Sequence, residues 1–372
     1  MIILNNINEH AILVYVLFSK SEDVDWNIKE CLDLAASNFI RVSNTLISSC
    51  KVINSKYFIG TGKVLALKSM LEHDPDVSVV LFNCTLSPNQ ERNLVRFLRC
   101  KIIDRNQLIL NIFAKHARTY EGKLQVKLAQ LRYFNSRLTH EWSHLERQRG
   151  GIGVRGGPGE MQLEKDRRLL SKKIFRVLSD LKKIENQRKQ NRCRRIRVGM
   201  STISLVGYTN AGKSTLFNVM TSSCVDVAEK LFVTLDPTFR RIIHGKKSNI
   251  ILIDTVGFIQ NLPKDLITAF KSTLQETMQS KLLIHVVDAS SKKVKQNIDI
   301  VNVILNEVNI YNVPKLVVMN KIDQMSKVQP HIDRDIDGFP IKVWISARNR
   351  VGIELLNQAI HELLSGDMIG YE

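Results

Sequence analysis

Short apolar runs alternate with longer amphipathic stretches through the first third of the chain. That rhythm predicts strands alternating with helices. Ala11 to Phe18 reads as a strand, Asn27 to Asn38 as a helix, Val77 to Phe82 as a buried strand and Lys101 to Asp104 as a short one. Gly60-Thr61-Gly62 opens a helix that runs to about Leu71. Ser87 caps another, with Pro88 at its first position, and a further helix begins near Gln107. Residues 1–112 are therefore expected to form a small α/β domain with a parallel sheet. Gly60-Thr61-Gly62-Lys63 has the look of a phosphate loop but lacks the first glycine at the right distance. It reads as a plain turn and helix start.

Residues 113–198 change character. Apolar positions fall at Leu124, Leu128, Leu131, Leu138, Trp142 and Leu145, then again at Leu163, Leu170, Ile174, Val177, Leu181 and Ile184. Both stripes have near-heptad spacing, which predicts two long helices able to zip together. Between them lies Gly150-Gly151-Ile152-Gly153-Val154-Arg155-Gly156-Gly157-Pro158-Gly159, too rich in glycine for regular structure. An antiparallel helical hairpin with a glycine-rich tip follows. Its tip is either a floppy connector or a probe. The probe is favoured, because few side chains there stop backbone amides and Arg155, Gly156 and Gly157 from approaching a crowded RNA surface.

Charge sharpens this picture. The chain has a net charge of +18. Residues 115–198 hold 23 Lys+Arg and 8 Asp+Glu, so 23 − 8 = +15 lies in this segment. A charged run is ordinarily a solvated helix face, but such concentration favours a polyanionic partner, with nucleic acid the first candidate. His140 and His144 stand four apart without a third ligand, which favours solvated or RNA-facing histidines over a metal site. The six cysteines show no C-x-x-C spacing and read as reduced thiols. The longest apolar stretch near the N-terminus is far short of the ~20 residues a membrane span needs, and no secretory signal is evident. A cytoplasmic protein without a membrane span is expected. At 372 residues there is chain for two or three domains, and nothing suggests more than a monomer.

Residues 199–366 return to alternating strand and helix, the pattern of a doubly wound nucleotide-binding fold, with 367–372 as a short tail. Gly207-Tyr208-Thr209-Asn210-Ala211-Gly212-Lys213-Ser214-Thr215 follows the apolar run Ile203 to Val206 and matches G-x-x-x-x-G-K-[ST]. Glycines 207 and 212 would let backbone amides wrap the α and β phosphates, aided by the positive end of the following helix. Lys213 would reach the β and γ phosphates, Ser214 would ligate Mg2+ and Thr215 would support the α phosphate. Asp254-Thr255-Val256-Gly257 follows a second apolar run. There Asp254 would hold a water of the Mg2+ ion, and the Gly257 amide would meet the γ phosphate. Within Phe232-Val233-Thr234-Leu235-Asp236-Pro237-Thr238, Thr234 is preferred over Thr238 as a second Mg2+ ligand. Lys213, Thr234 and Gly257 are the candidate catalytic groups.

Asn320-Lys321-Ile322-Asp323 and Ser346-Ala347-Arg348 select the base. A carboxylate at Asp323 accepts from guanine N1–H and the exocyclic amine, donors that adenine lacks as a pair, and the amides of Ser346-Ala347 would meet O6. GTP is therefore the expected substrate. Phe258 follows Gly257 where Ras-like enzymes place a water-orienting glutamine, so the group that positions water is not readable and slow unaided hydrolysis is expected. Asn210 either helps hold K+ beside the phosphates or caps the loop, and the sequence leaves both open.

The run Gly150 to Glu160, with Gln162-Leu163-Glu164 and Asp166-Arg167-Arg168, resembles the signature loop of HflX GTPases. Gly207 to Thr215, Phe232 to Thr238, Leu86 to Leu94 and Glu121 to Val126 also resemble segments of that family, so the likeness spans nearly the whole chain. The resemblance implies a Ras-like P-loop GTPase domain preceded by a small α/β domain and a helical hairpin. It implies binding to the large ribosomal subunit and its RNA, with the tip reaching toward the peptidyl transferase centre and some members splitting stalled or idle ribosomes under stress. Phe258 is the hydrophobic replacement expected of the group. Met161 departs from the small polar residue or lysine of many relatives. The last helix of the GTPase domain ends near Leu364, so the longer carboxy-terminal extension of some relatives is expected to be absent. Two rivals are a GTPase of large-subunit assembly and a non-catalytic RNA-binding switch that senses GTP.

Overall fold

The computed structural model describes residues 9–18, 24–141, 158–222, 231–232, 237–242, 250–260, 279–308, 310, 313–326 and 328–365. The chain divides into two compact units, Met1–Lys115 with Val126–Asp180 and His116–Gln125 with Leu181–Glu372.

In the first unit, strands β1 (Glu9–Leu17), β2 (Ile40–Ser49), β3 (Val77–Phe82) and β4 (Lys101–Ile103) form a wholly parallel sheet in the order β2-β1-β3-β4. Helices α1 (Val24–Ser37), α2 (Thr61–His73), α3 (Pro88–Leu98) and α4 (Arg105–His116) connect or follow them. The expected parallel α/β layer is therefore present. α3 begins with a full capping box. Ser87 Oγ accepts from the Gln90 amide, Gln90 Oε1 accepts from the Ser87 amide, and Pro88 takes the first turn. α2 starts at Thr61 with Gly60 as its cap, the helix start the sequence suggested, and a Cβ added to Gly60 or Gly62 would meet nothing.

Two differences from the sequence expectation have physical causes. β2 was not anticipated, because it is an edge strand whose residues are mostly exposed and so carry no apolar run. The second arm helix is also longer than its apolar stripe at both ends, and Pro158 and Gly159 of the glycine-rich run already belong to it. The arm helices are α5 (Tyr120–Glu141) and α6 (Pro158–Arg197), and α6 continues straight through the basic segment 188–197. Lys, Arg and Gln are good helix formers whether or not they have an apolar face to bury, so the stripe ends before the helix does. An ion pair of 2.7 Å between Arg188 and Glu121 joins the last third of α6 to the first turn of α5, as an antiparallel pair requires. α5 is fastened to the N-terminal sheet by one buried carboxylate. Asp104, the residue after β4, accepts from Tyr133 Oη at 3.1 Å and Arg137 at 2.9 Å, while Arg137 also holds Glu91 at 2.8 Å.

The second unit is built on a seven-stranded sheet in the order β10-β11-β9-β8-β5-β7-β6. Its strands are β5 (Ser201–Val206), β6 (Thr238–Arg241), β7 (Ile250–Asp254), β8 (Leu282–Asp288), β9 (Lys315–Asn320), β10 (Ile332–Arg334) and β11 (Pro340–Trp344). Only the β6/β7 and β10/β11 pairs are antiparallel. α7 (Lys213–Thr221), α8 (Val294–Glu307) and α9 (Ile353–Ser365) are its described α-helices after α6. Leu216 and Phe217 of α7 are fully buried with Ile203, Leu205, Ile284 and Val286 of the sheet. Each such side chain contributes roughly 1.5–3 kcal/mol. From β5 the chain moves to β6 and β7 on one side, then crosses to β8 and β9 on the other. Parallel sheets of this kind bind ligands beyond the carboxyl ends of the strands where the order reverses. Here that place is the end of β5, which leads directly into Gly207.

Candidate functional site

Four parallel strands deliver the motif residues to one edge. β5 ends at the phosphate loop, β7 at Asp254, β8 at Asp288 and β9 at Asn320. Gly207 (φ 153°) and Gly212 (φ 93°) adopt backbone conformations that side chains disfavour. Added Cβ atoms would overlap the Val286 carbonyl oxygen and the Asn320 amide nitrogen, respectively. At Gly207 the obstacle is backbone and cannot swing aside. Gly207→Ala is therefore expected to lower stability by at least about 3 kcal/mol. An unchanged thermal melting temperature would remove that packing argument.

Lys213 opens α7 and is buried, with its Nζ donating to the carbonyls of Gly207 (3.1 Å) and Tyr208 (2.7 Å). Burial lowers its pKa to about 8, against an opposing pull from Asp254. The ammonium is thus still charged at neutral pH, yet poorly solvated. It is arranged to gain from any anion brought beside it. Ser214 Oγ donates to Asp254 Oδ2 at 2.8 Å, so a hydroxyl and a buried carboxylate meet at the foot of the loop. This pair of hard oxygen donors fits Mg2+, which borrows one or two protein ligands and otherwise keeps water. Among the described residues no group of three His, Cys, Asp or Glu side chains forms a competing metal site. Thr215 follows on the first turn of α7 and is half-buried.

The segment after Asp254 is clasped to the loop. Thr255 Oγ1 donates to the Leu205 carbonyl. The Phe258 amide donates to the Gly207 carbonyl at 3.1 Å, and the Thr209 amide donates to the Phe258 carbonyl at 2.8 Å. Val256 and Phe258 are buried. Gly257 lies between them so tightly that a Cβ there would stand 2.9 Å from Thr209 Cγ2 and 3.1 Å from Lys213 Nζ.

Asn320 links the two halves of the site. Its Nδ2 donates to the Ala211 carbonyl and its Oδ1 accepts from the Ala347 amide, both at 2.9 Å. It thereby ties the phosphate loop to the Ser346-Ala347 loop. Ser346 Oγ donates to Asp323 Oδ1 and accepts from the Asn349 amide at 3.2 Å, so the exposed Asp323 carboxylate is held by one oxygen. Lys321 takes a left-handed conformation (φ 65°) and Ile322 starts a short 3-10 turn. Asn210 (φ 59°) and Arg348 are exposed on their loops. Phe232 is buried with φ 60°. Val233, Thr234, Leu235 and Asp236 lie outside the described residues, as do Arg155, Gly156 and Gly157.

The sequence reading missed Asp288. Its Oδ2 accepts from Lys321 Nζ at 2.7 Å, and its Oδ1 accepts from the Ser290 amide and hydroxyl. A strand-ending acid preceding Ala-Ser was the available signal, but its partner is 33 residues away.

A doubly wound sheet, a glycine-strained phosphate loop and a tethered Asn-Lys-x-Asp segment define a Ras-like P-loop GTPase domain. Residues 202–321 match a family model described as a 50S ribosome-binding GTPase. Residues 25–114 match a GTP-binding GTPase N-terminal model, and 116–195 a GTP-binding GTPase middle region. The chain is 50% identical over 360 residues to GTPase HflX of Escherichia coli (strain K12), covering 97% of this chain and 84% of that protein. It is 41% identical over 356 residues to GTPase HflX of Caldanaerobacter subterraneus subsp. tengcongensis, covering 96% and 81%. The crystal structure of SsGBP in complex with GDP superposes with a TM-score of 0.53 at 26% identity, covering 95% of this chain and 98% of that one. The chain belongs to the HflX GTPase family. Among its described residues no helix is long and apolar enough to cross a membrane.

Proposed function

We propose that this protein is a cytoplasmic, monomeric GTP-hydrolysing switch that docks on the large ribosomal subunit and parts stalled or idle ribosomes under stress. The observation that carries the ribosomal half of the reading is the charge of 23 − 8 = +15 on residues 115–198, immediately before the GTPase domain. The family model described as a 50S ribosome-binding GTPase supports it. In this reading residues 1–112, 113–198 and 199–366 act as an amino-terminal α/β domain, an RNA-binding arm and a nucleotide engine, with 367–372 a tail. Arg155, Gly156 and Gly157 contact ribosomal RNA.

The nucleotide chemistry follows from the site. Lys213 binds the β and γ phosphates, while amides of the Gly207–Thr215 loop other than that of Thr209, which is held by Phe258, wrap the α and β groups. Ser214 and Thr234 would hold Mg2+, with Asp254 holding one of its waters, and when bound the ion would supply positive charge against the phosphate oxygens. The Gly257 amide meets the γ phosphate, a contact possible only with the triphosphate. Loss of that contact on hydrolysis releases the ribosome-bound shape. Asn320, Asp323, Ser346 and Ala347 read guanine. With Phe258 buried and apolar, unaided turnover is slow and ribosomes accelerate it.

The test is sedimentation of intact ribosomes with the protein and a non-hydrolysable GTP analogue. Co-migration with large subunits and loss of paired ribosomes is expected. Binding that spares paired ribosomes would move the function to subunit assembly. Contact with six single-strand phosphates would give a log–log salt slope of roughly −4. A flat salt response would remove the arm as the RNA surface.

A further inference from the structure

Phe258 cannot orient water through its side chain, and both of its backbone polar groups are taken, the amide by Gly207 and the carbonyl by Thr209. Among the described residues next to it, Thr209 retains an unused polar group. It is 7% exposed, and its Oγ1 is buried with no hydrogen-bond partner. Its Cγ2 and Cα lie 2.9 and 3.0 Å from the point a Cβ on Gly257 would occupy, and Lys213 Nζ lies 3.1 Å from the same point. A hydroxyl-bearing side chain, an ammonium and the glycine of the Asp254–Gly257 motif therefore converge.

An unpaired buried hydroxyl forfeits its hydrogen bonds to water, and native proteins keep few of them. Loop geometry does not demand threonine here. Thr209 is not among the positive-φ residues, and only its amide is engaged in the clasp with Phe258. Valine would fill the same volume without the cost. A hydroxyl retained under those terms, on a residue whose methyl lies against the Gly257 position that Lys213 Nζ also approaches, is accounted for by a partner on the nucleotide.

We propose that Thr209 is a catalytic residue for GTP hydrolysis, its hydroxyl hydrogen-bonding a γ-phosphoryl oxygen as the bond to GDP breaks. The inference rests on the GTPase reading above. In the step itself a water oxygen bonds to the γ phosphorus, and the bond to the β–γ bridging oxygen breaks with its electron pair staying on GDP. The proton released by the water ends on inorganic phosphate. The Thr209 proton stays on threonine throughout. Its contribution is to stabilise charge on the transferring group, in place of the side chain that Phe258 lacks.

The experiment compares the unaltered full chain with Thr209→Val and Thr209→Ser. It measures single-turnover GTP hydrolysis, GDP affinity and thermal melting, each with and without large ribosomal subunits. Thr209→Val is expected to slow hydrolysis on the order of a hundredfold, while GDP affinity stays within about twofold. Its melting temperature should not fall, because a methyl replaces an unpaired hydroxyl. Thr209→Ser should keep most of the rate. A valine variant as fast as the unaltered protein would overturn the proposal. So would a parallel loss of rate and GDP affinity, or a serine variant as slow as valine. Absence of turnover in the unaltered protein, alone and with subunits, would overturn the GTPase reading and this inference together. With turnover present in the unaltered protein, any of those three variant outcomes would overturn this inference alone.

Discussion

Asp323→Asn is expected to reduce guanine-nucleotide affinity roughly a thousandfold or more while conferring affinity for xanthine nucleotides. The Asp323 carboxylate has one oxygen fixed by the Ser346 hydroxyl, and Ser346 is itself held by the bridge to Val351 and by the Asn349 amide. A carboxylate so oriented offers acceptors to guanine N1–H and to the exocyclic amine. Converting one oxygen to an NH2 group sets donor against donor at the amine position. Xanthine carries a carbonyl there, so the same change becomes a complementary pair. Because Asp323 is exposed and caps nothing in the core, the fold should survive. Equilibrium titration with fluorescent GDP and XDP checks both halves. Undiminished GDP preference would mean the base does not bind at this carboxylate. The contrast with Asn320 is informative. Its side chain ties Ala211 to Ala347, so changing it would loosen the phosphate loop and the base loop together and could not report on base choice alone.

The phosphate loop and the Asp254, Asn320 and Ser346 segments could be read from sequence because each packs its chemistry into a few consecutive residues after a buried strand. Ile250–Asp254 shows why such strands are legible, being mostly buried and apolar up to its terminal acid. β2, β6 and β10 were not legible, since edge strands and three-to-four-residue strands gain their order from a neighbour rather than from a pattern. The last turns of α6 escaped for a related reason, because a helix of Arg and Lys leaves no periodic apolar mark. Within the site, the hidden part is what residues do to each other. Nothing in Asn-Lys-x-Asp says that Asn320 pins a loop 109 positions earlier, or that Lys321 is held by Asp288. Nor does a threonine inside the phosphate loop announce that its hydroxyl is buried without a partner. Those are facts of three-dimensional packing. Asp104 is the same kind of case in the first unit, an unremarkable acid in sequence that joins Tyr133 and Arg137 of α5 to the sheet.

Lys213→Met should split stability from function in opposite directions. Burial holds the Lys213 pKa near 8, against 10.5 for a free lysine. In the folded protein the charged form is therefore disfavoured by about 3 kcal/mol below pH 8. The sign follows from proton counts. Between about pH 8 and 10.5 the unfolded chain binds the extra proton, so the unaltered protein gains stability as pH rises through that window. Methionine keeps most of the aliphatic length and carries no charge, so the nucleotide-free variant should melt at or above the unaltered protein at pH 7. That advantage should shrink to nothing as pH approaches 10.5. The same substitution should cost GTP affinity and hydrolysis on the order of a hundredfold or more, because the ammonium beside Gly257 is lost where negative charge accumulates. Melting curves at several pH values, read beside single-turnover rates, check the two claims on one sample. A variant less stable than the unaltered protein at pH 7 would show that the ammonium's bonds to the Gly207 and Tyr208 carbonyls outweigh its desolvation. A variant that still hydrolyses GTP at the full rate would remove Lys213 from the catalytic machinery. The expected pattern, no less stable yet far slower, is that of a charge kept in an unfavourable place because the substrate's phosphates are what make it favourable.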